Sequence, residues 1–307
     1  MNRHLVLFLL TVLTCTAAGG LHYFSFALGF SRAEIVLGWQ GISANSLHMS
    51  WLDFARNGLW FSVPFLGFLS AHEFGHYFAA RWHGLRPSLP FYLPAPIPLT
   101  GSLGAVIVFR GHFPNRRVLF DFAAGGPLAG FVVAVVALAY GLAWSPVAKL
   151  PDQLVGGYWM GEPLVFQWLS HAVAGPVRDG WSLNLHPTAM AGWLGLLFTM
   201  MNLVPISQLD GGHIAYAAIR RHSRWLTVAG LAMLAIFVVW LQAYSWALWL
   251  VVLLVIIRIV GWEHPASLDD DVPLDPVRLA VAVLLIAIFV VCFMPVPISP
   301  IELIGGR

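Results

Sequence analysis

Long apolar runs alternate with short polar breaks along the chain, and the runs exceed what the core helices of a soluble domain require. A hydrocarbon core about 30 Å thick needs roughly 20 apolar residues in helical form. On that measure, spans are expected near residues 5–28, 58–81, 118–143, 188–206, 225–241, 246–260 and 278–295. The fifth and sixth are short and parted by "QAYS" alone, which predicts a tight helical hairpin and leaves the count at six to seven. Leu5 to Phe30 carries no charged residue and exceeds the roughly 7–15 residues of a signal-peptide core, so it is read as an uncleaved first span despite the "TAAGG" that resembles a cleavage site.

Two segments depart from the pattern. Residues 86–109, "RPSLPFYLPAPIPLTGSLGAVIVF", are apolar but contain Pro87, Pro90, Pro94, Pro96 and Pro98, which rule out a continuous helix. The tail "GSLGAVIVF" has the β-branched composition of a strand. Irregular backbone survives at membrane depth only when buried in protein or lining a wet cavity, so this segment is expected to be a re-entrant or interfacial loop with an edge open to another strand. Residues 145–187, broken by Pro146, Pro151, Gly157 and Pro163, are expected to form an outer loop with one interfacial helix. The predicted fold class is therefore an all-α polytopic membrane protein with about six to seven transmembrane helices and a re-entrant, β-like loop after the second. It forms one membrane-embedded domain over 1–307.

Composition agrees. Charged residues make up 10% of the chain, against roughly 25% in a soluble domain. A net charge of +2 without a basic run points away from nucleic acid and leaves the lipid bilayer as the expected surroundings. Cys15 and Cys292 lie within apolar runs and read as small apolar side chains. The basic residues set the orientation. With the N-terminus inside, Arg3, Arg81, Arg86, Arg110, Arg116, Arg117, Arg220, Arg221, Arg224, Arg258 and Arg278 fall on the inner side. Arg32, Arg56, Lys149, Arg178 and Arg307 fall outside. The positive-inside rule then predicts a cytoplasmic N-terminus.

Against this background, "AHEFGH" in the second span stands out. His72 and His76 are one helical turn apart on one face, so both imidazoles can reach a single metal ion. Glu73 stands beside the first, where its carboxylate can take a proton from water that zinc has acidified to a pKa of about 7. Ionisable residues at membrane depth are costly, by about 2.5 kcal/mol or more each, and so favour a functional reading. A catalytic zinc takes three protein ligands. Candidates for the third are Asp210, Asp121, His83, His112 and His213. Asp210, in "MNLVPISQLDGGH", is favoured. Pro205 interrupts the helix before it, and Gly211 and Gly212 are expected to let the chain turn sharply after it. Asp121, near Arg116 and Arg117, reads as an interfacial ion-pair or capping residue, and the three histidines as interfacial polar groups. Two neutral imidazoles, a carboxylate, a divalent ion and a hydroxide sum to zero charge, a tolerable state in a low dielectric.

HEFGH in one span and "NLVPISQLDGG" in a later one resemble the site-2 protease family of intramembrane zinc metalloproteases. The distal family pattern is matched at Asn202, Pro205, Leu209, Asp210 and Gly211, and "AAGGPLAGF" at 123–131 is similar to the family's glycine-rich span. The resemblance covers about 58–224, which would be the catalytic core, with peripheral helices 5–28 and 225–295. It implies one zinc ion per chain held by His72, His76 and Asp210, Glu73 as general base, and Asn202 holding the substrate carbonyl or its oxyanion. The implied activity is regulated intramembrane proteolysis of a membrane protein with a transmembrane helix. The expected location is a bacterial inner membrane, and the positive-inside orientation puts HEFGH near the cytoplasmic end of the second span. Members with a PDZ insertion differ from this chain, which looks like the PDZ-less branch. The rival readings are a metal-ion transporter, which needs polar steps that spans five to seven lack, and a non-catalytic scaffold, which the intact HExxH opposes.

Overall fold

A computed structural model describes residues 3–31, 35–109, 111–151, 157–261 and 267–301. Arg32, Arg110 and Arg307 of the orientation argument lie outside these residues. The architecture is mostly helical. Helix α1 (Arg3–Leu28) is followed by a small antiparallel meander, β1 (Val36–Gly38), β2 (Gly41–Ala44) and β3 (Leu47–Ser50), which leads into α2 (Trp51–Trp82). Next come a hairpin of β4 (Phe91–Pro94) and β5 (Ser102–Val106), and then α3 (Arg116–Ala143). The expected outer loop holds β6 (Val147–Lys149), β7 (Tyr158–Met160), α4 (Leu164–Ala174) and β8 (Trp181–Leu183). Helices α5 (Pro187–Leu203), α6 (Asp210–Ile219), α7 (Ser223–Val239), α8 (Ser245–Val260) and α9 (Pro276–Cys292) follow, and β9 (Ile298–Pro300) pairs with β7.

Three helical stretches are long and apolar enough to cross a membrane: Arg3–Leu28, Arg116–Ala143 and Asp210–Val239, the last being α6 and α7 together. At 32 residues, about 48 Å, α2 is long enough, but its polar residues lower its hydropathy. It starts at Trp51, seven positions before the apolar run at 58. Asp53, Arg56 and Asn57 interrupt the hydropathy without opposing a helix, and the Ser50 hydroxyl caps the first turn by accepting from Asp53 N–H. Within α2, Pro64 lacks the N–H that would bond Trp60 carbonyl, and the Thr188 hydroxyl of α5 donates to that carbonyl instead, at 2.7 Å.

The core lies where α2 meets α1, α3 and α5, with Phe61, Phe65, Phe68, Leu119, Leu138, Trp193 and Leu196 buried together. Gly19, within the "TAAGG" of α1, is a contact residue: a Cβ there would fall 2.2 Å from the Gly58 carbonyl oxygen of α2. Small residues of this kind let apolar helices approach at backbone distance.

The hairpin runs beside α1. His4 Nδ1 lies 3.1 Å from Pro90 carbonyl, Cys15 Sγ donates to Thr100 carbonyl at 3.3 Å, and His22 Nε2 lies 2.9 Å from Leu99 carbonyl. The hairpin therefore runs from the start of α1, at its base, to the last two turns of α1, at its own turn. The expected strand is β5, paired with β4 on one edge and with no strand on the other among the described residues.

Candidate metal centre

Three side chains from α2 and α6 converge. His72 Nε2 lies 3.1 Å from His76 Nε2 and 3.2 Å from Asp210 Oδ2, and His76 Nε2 lies 3.4 Å from Asp210 Oδ1. Two imidazole nitrogens and a carboxylate facing one point are the donor set of a metal site. The spacing fits as well, because ligands at about 2.0–2.1 Å in a tetrahedron stand about 3.3 Å apart. Both histidines are buried, as is Glu73. Among the described residues, this is the group of three His, Cys, Asp or Glu side chains able to hold a metal ion.

The local sequence explains the convergence. Helical spacing puts His72 and His76 on one face of α2. That face meets the glycines of α3: a Cβ on Gly126 would lie 2.1 Å from His76 Nε2, and one on Gly130 3.2 Å from His72 Nδ1. Gly75 and Gly125 are in mutual backbone contact beside them. His76 Nδ1 donates to Phe122 carbonyl at 2.7 Å, which fixes the tautomer that leaves Nε2 as the free ligand atom. His72 Nδ1 is buried against Gly130 without a hydrogen-bond partner.

Asp210 opens α6 after a break from Val204 to Leu209. Gly211 and Gly212 act here by a different route from the sharp turn expected. Both have ordinary helical backbone, and the left-handed residue is Ser207, at φ 46°. The two glycines are required by proximity, since a Cβ would meet Leu203 carbonyl oxygen at 2.1 Å and Ser207 carbonyl oxygen at 2.0 Å. Asn202, in the last turn of α5, has its amide nitrogen 3.3 Å from His72 Nε2.

The other candidates lie elsewhere. Asp121 pairs with His83 Nε2 at 2.8 Å and with Arg278 Nε at 2.9 Å, not with Arg116 or Arg117. Arg116 is turned toward α6 and donates to Ala217 carbonyl, while Arg117 donates to Pro273 carbonyl. His112 is exposed. The His213 ring sits beyond Phe122, 6.4 Å away centre to centre. Sequence reasoning missed the Phe122 carbonyl, for which a backbone atom gives no signal. It also missed the hydroxyl pair of Ser70 and Tyr92, 2.7 Å apart, beside the site.

The model of peptidase family M50 matches residues 60–242, more than half of the chain and all of the elements that build this centre. The chain belongs to peptidase family M50. Its similarity extends to plant relatives within curated proteins. A probable zinc metalloprotease EGY2 of Oryza sativa subsp. indica is 28% identical over 255 residues, covering 82% of this M50 chain and 46% of the relative. A probable zinc metalloprotease EGY1 of Arabidopsis thaliana is 32% identical over 166 residues, covering 52% and 29%. Both are described as chloroplastic. The M50 chain thus spans less than half the length of these relatives.

Proposed function

We propose that this chain is an intramembrane zinc metalloprotease that hydrolyses a peptide bond in or beside a transmembrane segment of another membrane protein. The observation that carries the reading is the His72–His76–Asp210 group at tetrahedral spacing inside the M50 match, its two histidines buried and the buried Glu73 next to it. The plant relatives, named as probable zinc metalloproteases, support the same metal and chemistry.

His72, His76 and Asp210 would hold the zinc ion. When bound, zinc supplies Lewis acidity toward water and the scissile carbonyl. Glu73 takes a proton from the attacking water and returns it to the leaving amide nitrogen. Asn202 donates its amide N–H to the carbonyl oxygen as negative charge develops there. A transmembrane helix hides its carbonyls in its own hydrogen bonds, so the substrate must unwind before attack. The free edge of β5 offers replacement partners. Val108 turns its N–H and C=O toward Ser88, so by strand alternation Ala105 and Ile107 face outward. An unwound substrate would add there as a strand. The hairpin then acts as a re-entrant element within a single domain over 1–307, whose catalytic core is about 58–224. The apolar α1, α2, α3, α5, α7, α8 and α9 would give six to seven spans. The distribution of basic residues favours an N-terminus and a site toward the cytoplasm, with a bacterial inner membrane as the expected location. A reporter fused after Arg224 should then behave as cytoplasmic and one in 157–180 as external; the reverse would overturn it.

Metal analysis tests the assignment. His72→Ala, His76→Ala and Asp210→Ala should each lower bound zinc, while Glu73→Gln should keep it nearly stoichiometric and lose cleavage. Full zinc in Asp210→Ala would remove that residue from the set.

A further inference from the structure

Tyr92 is not among the ligating or proton-transferring groups, yet it is the buried residue of β4, 6% exposed, and it points at the catalytic helix. Its hydroxyl lies 2.7 Å from the Ser70 hydroxyl, one turn before Glu73 on α2. Its ring packs edge-on against Phe8 of α1 at 4.9 Å. Tyr92 is therefore wedged between the helix that grips the hairpin along its length and the helix that carries the site.

Tyr92 is also the cross-strand partner of Ala105, which with Ile107 just past β5 turns its backbone to the free edge. The next rung is irregular, since the pairing shifts between Tyr92 and Pro94 and Ser102 donates its hydroxyl to Leu93 carbonyl. Regular pairing thus stops at Tyr92 and resumes at Pro94 opposite Ser102, so Tyr92 sits at the last regular rung. Strand register matters sharply, because a slip of one residue turns every side chain to the opposite face.

We propose that the Ser70–Tyr92 hydroxyl pair registers the β5 edge against Glu73, making Tyr92 a positioning residue that selects which substrate bond is cut. The inference rests on the proteolytic reading above and on strand addition at β5. A substrate hydrogen-bonded to Ala105 and Ile107 is placed relative to the hairpin, and the hairpin is placed relative to Glu73 through this bond. Losing it removes the hairpin's hydroxyl contact to the stretch of α2 that carries Glu73.

The test uses the full chain in detergent with single-span peptides that differ in the position of a helix-breaking residue, taking the one the parent cleaves best. Tyr92→Phe keeps the ring and its packing, and Ser70→Ala removes the other hydroxyl. Mass spectrometry of the products should show a second scissile bond in both variants, with its share of product raised roughly five- to ten-fold, the size of one lost hydrogen bond. The double variant should do no more than either single one, because the same bond is lost. Zinc content should stay at the parent level. Products confined to the parent's bond in both variants, at any rate, would overturn the proposal, as would a parallel loss of zinc. Ile107→Pro separates the two layers. Parent-like cleavage by Ile107→Pro would show that strand addition has failed. An inactive Ile107→Pro beside unchanged product sites in Tyr92→Phe and Ser70→Ala would show that registration alone has failed.

Discussion

Helices α3 and α8 are both strongly apolar, yet they occupy opposite situations. In α3, Ala123, Ala124, Gly126, Gly130, Ala134 and Gly141 are buried; a Cβ on Gly141 would meet the backbone of Ala189, and one on Gly126 or Gly130 the side chains of α2. In α8, which contains no glycine, Leu248, Val251, Leu254, Val255 and Ile259 are exposed, and its main packing partner is α7. Helix α9 also lacks glycine and shows mostly apolar side chains outward. Lipid tails are as apolar as leucine, so hydropathy does not separate a protein-facing from a lipid-facing helix. Small residues do, because close approach of two backbones leaves no room for larger ones. The M50 match reflects the same division, ending at residue 242 between α7 and α8.

The sharpest way to break this comparison is Gly126→Ala. The added Cβ would lie 2.1 Å from His76 Nε2, and the ring cannot retreat because its Nδ1 is bonded to Phe122 carbonyl. Zinc content and cleavage should both fall, by roughly 100-fold or more if a ligand is displaced. Near-full zinc in this variant would show that α3 does not wall the site. Gly192→Ala should be milder. Its Cβ would meet Leu138 N at 2.4 Å, at the crossing of α5 and α3 but away from the ligands. A destabilisation of about 1–3 kcal/mol is expected, read as a lower melting temperature in detergent with zinc retained. Leu248→Ala on the outer face of α8, 74% exposed, should be the weakest, within about 0.5 kcal/mol in the same measurement. A loss as large as that of Gly192→Ala would mean that α8 is packed against protein.

Much of the centre was legible because its chemistry depends on local spacing. His72 and His76 meet through one helical turn, and Glu73 follows as their neighbour. Asp210 was marked by the proline before it and the glycines after it, although those glycines serve close packing and not a left-handed turn. The expected strand in "GSLGAVIVF" appears as β5, and the helix expected in 145–187 appears as α4. Boundaries were less legible. The α2 start at Trp51 depends on a cap and not on hydropathy, and the fourth run breaks at Leu203 where Pro205 prevents continuation.

From the sequence alone came the periodic apolar runs, the ligand pair on one helix face, and the proline content that forbids a helix over 86–109, because each follows from bonds and sterics within a few residues. Tertiary structure decided which Asp meets the two histidines, since Asp121 and Asp210 differ in what lies opposite them: His83 and Arg278 for one, two imidazole nitrogens for the other. It also decided that Tyr92 meets Ser70 and that Phe122 carbonyl holds His76, contacts 22 and 46 residues apart in sequence. Such pairs arise from how helices and hairpin pack, and packing at that separation leaves no periodic trace in the chain.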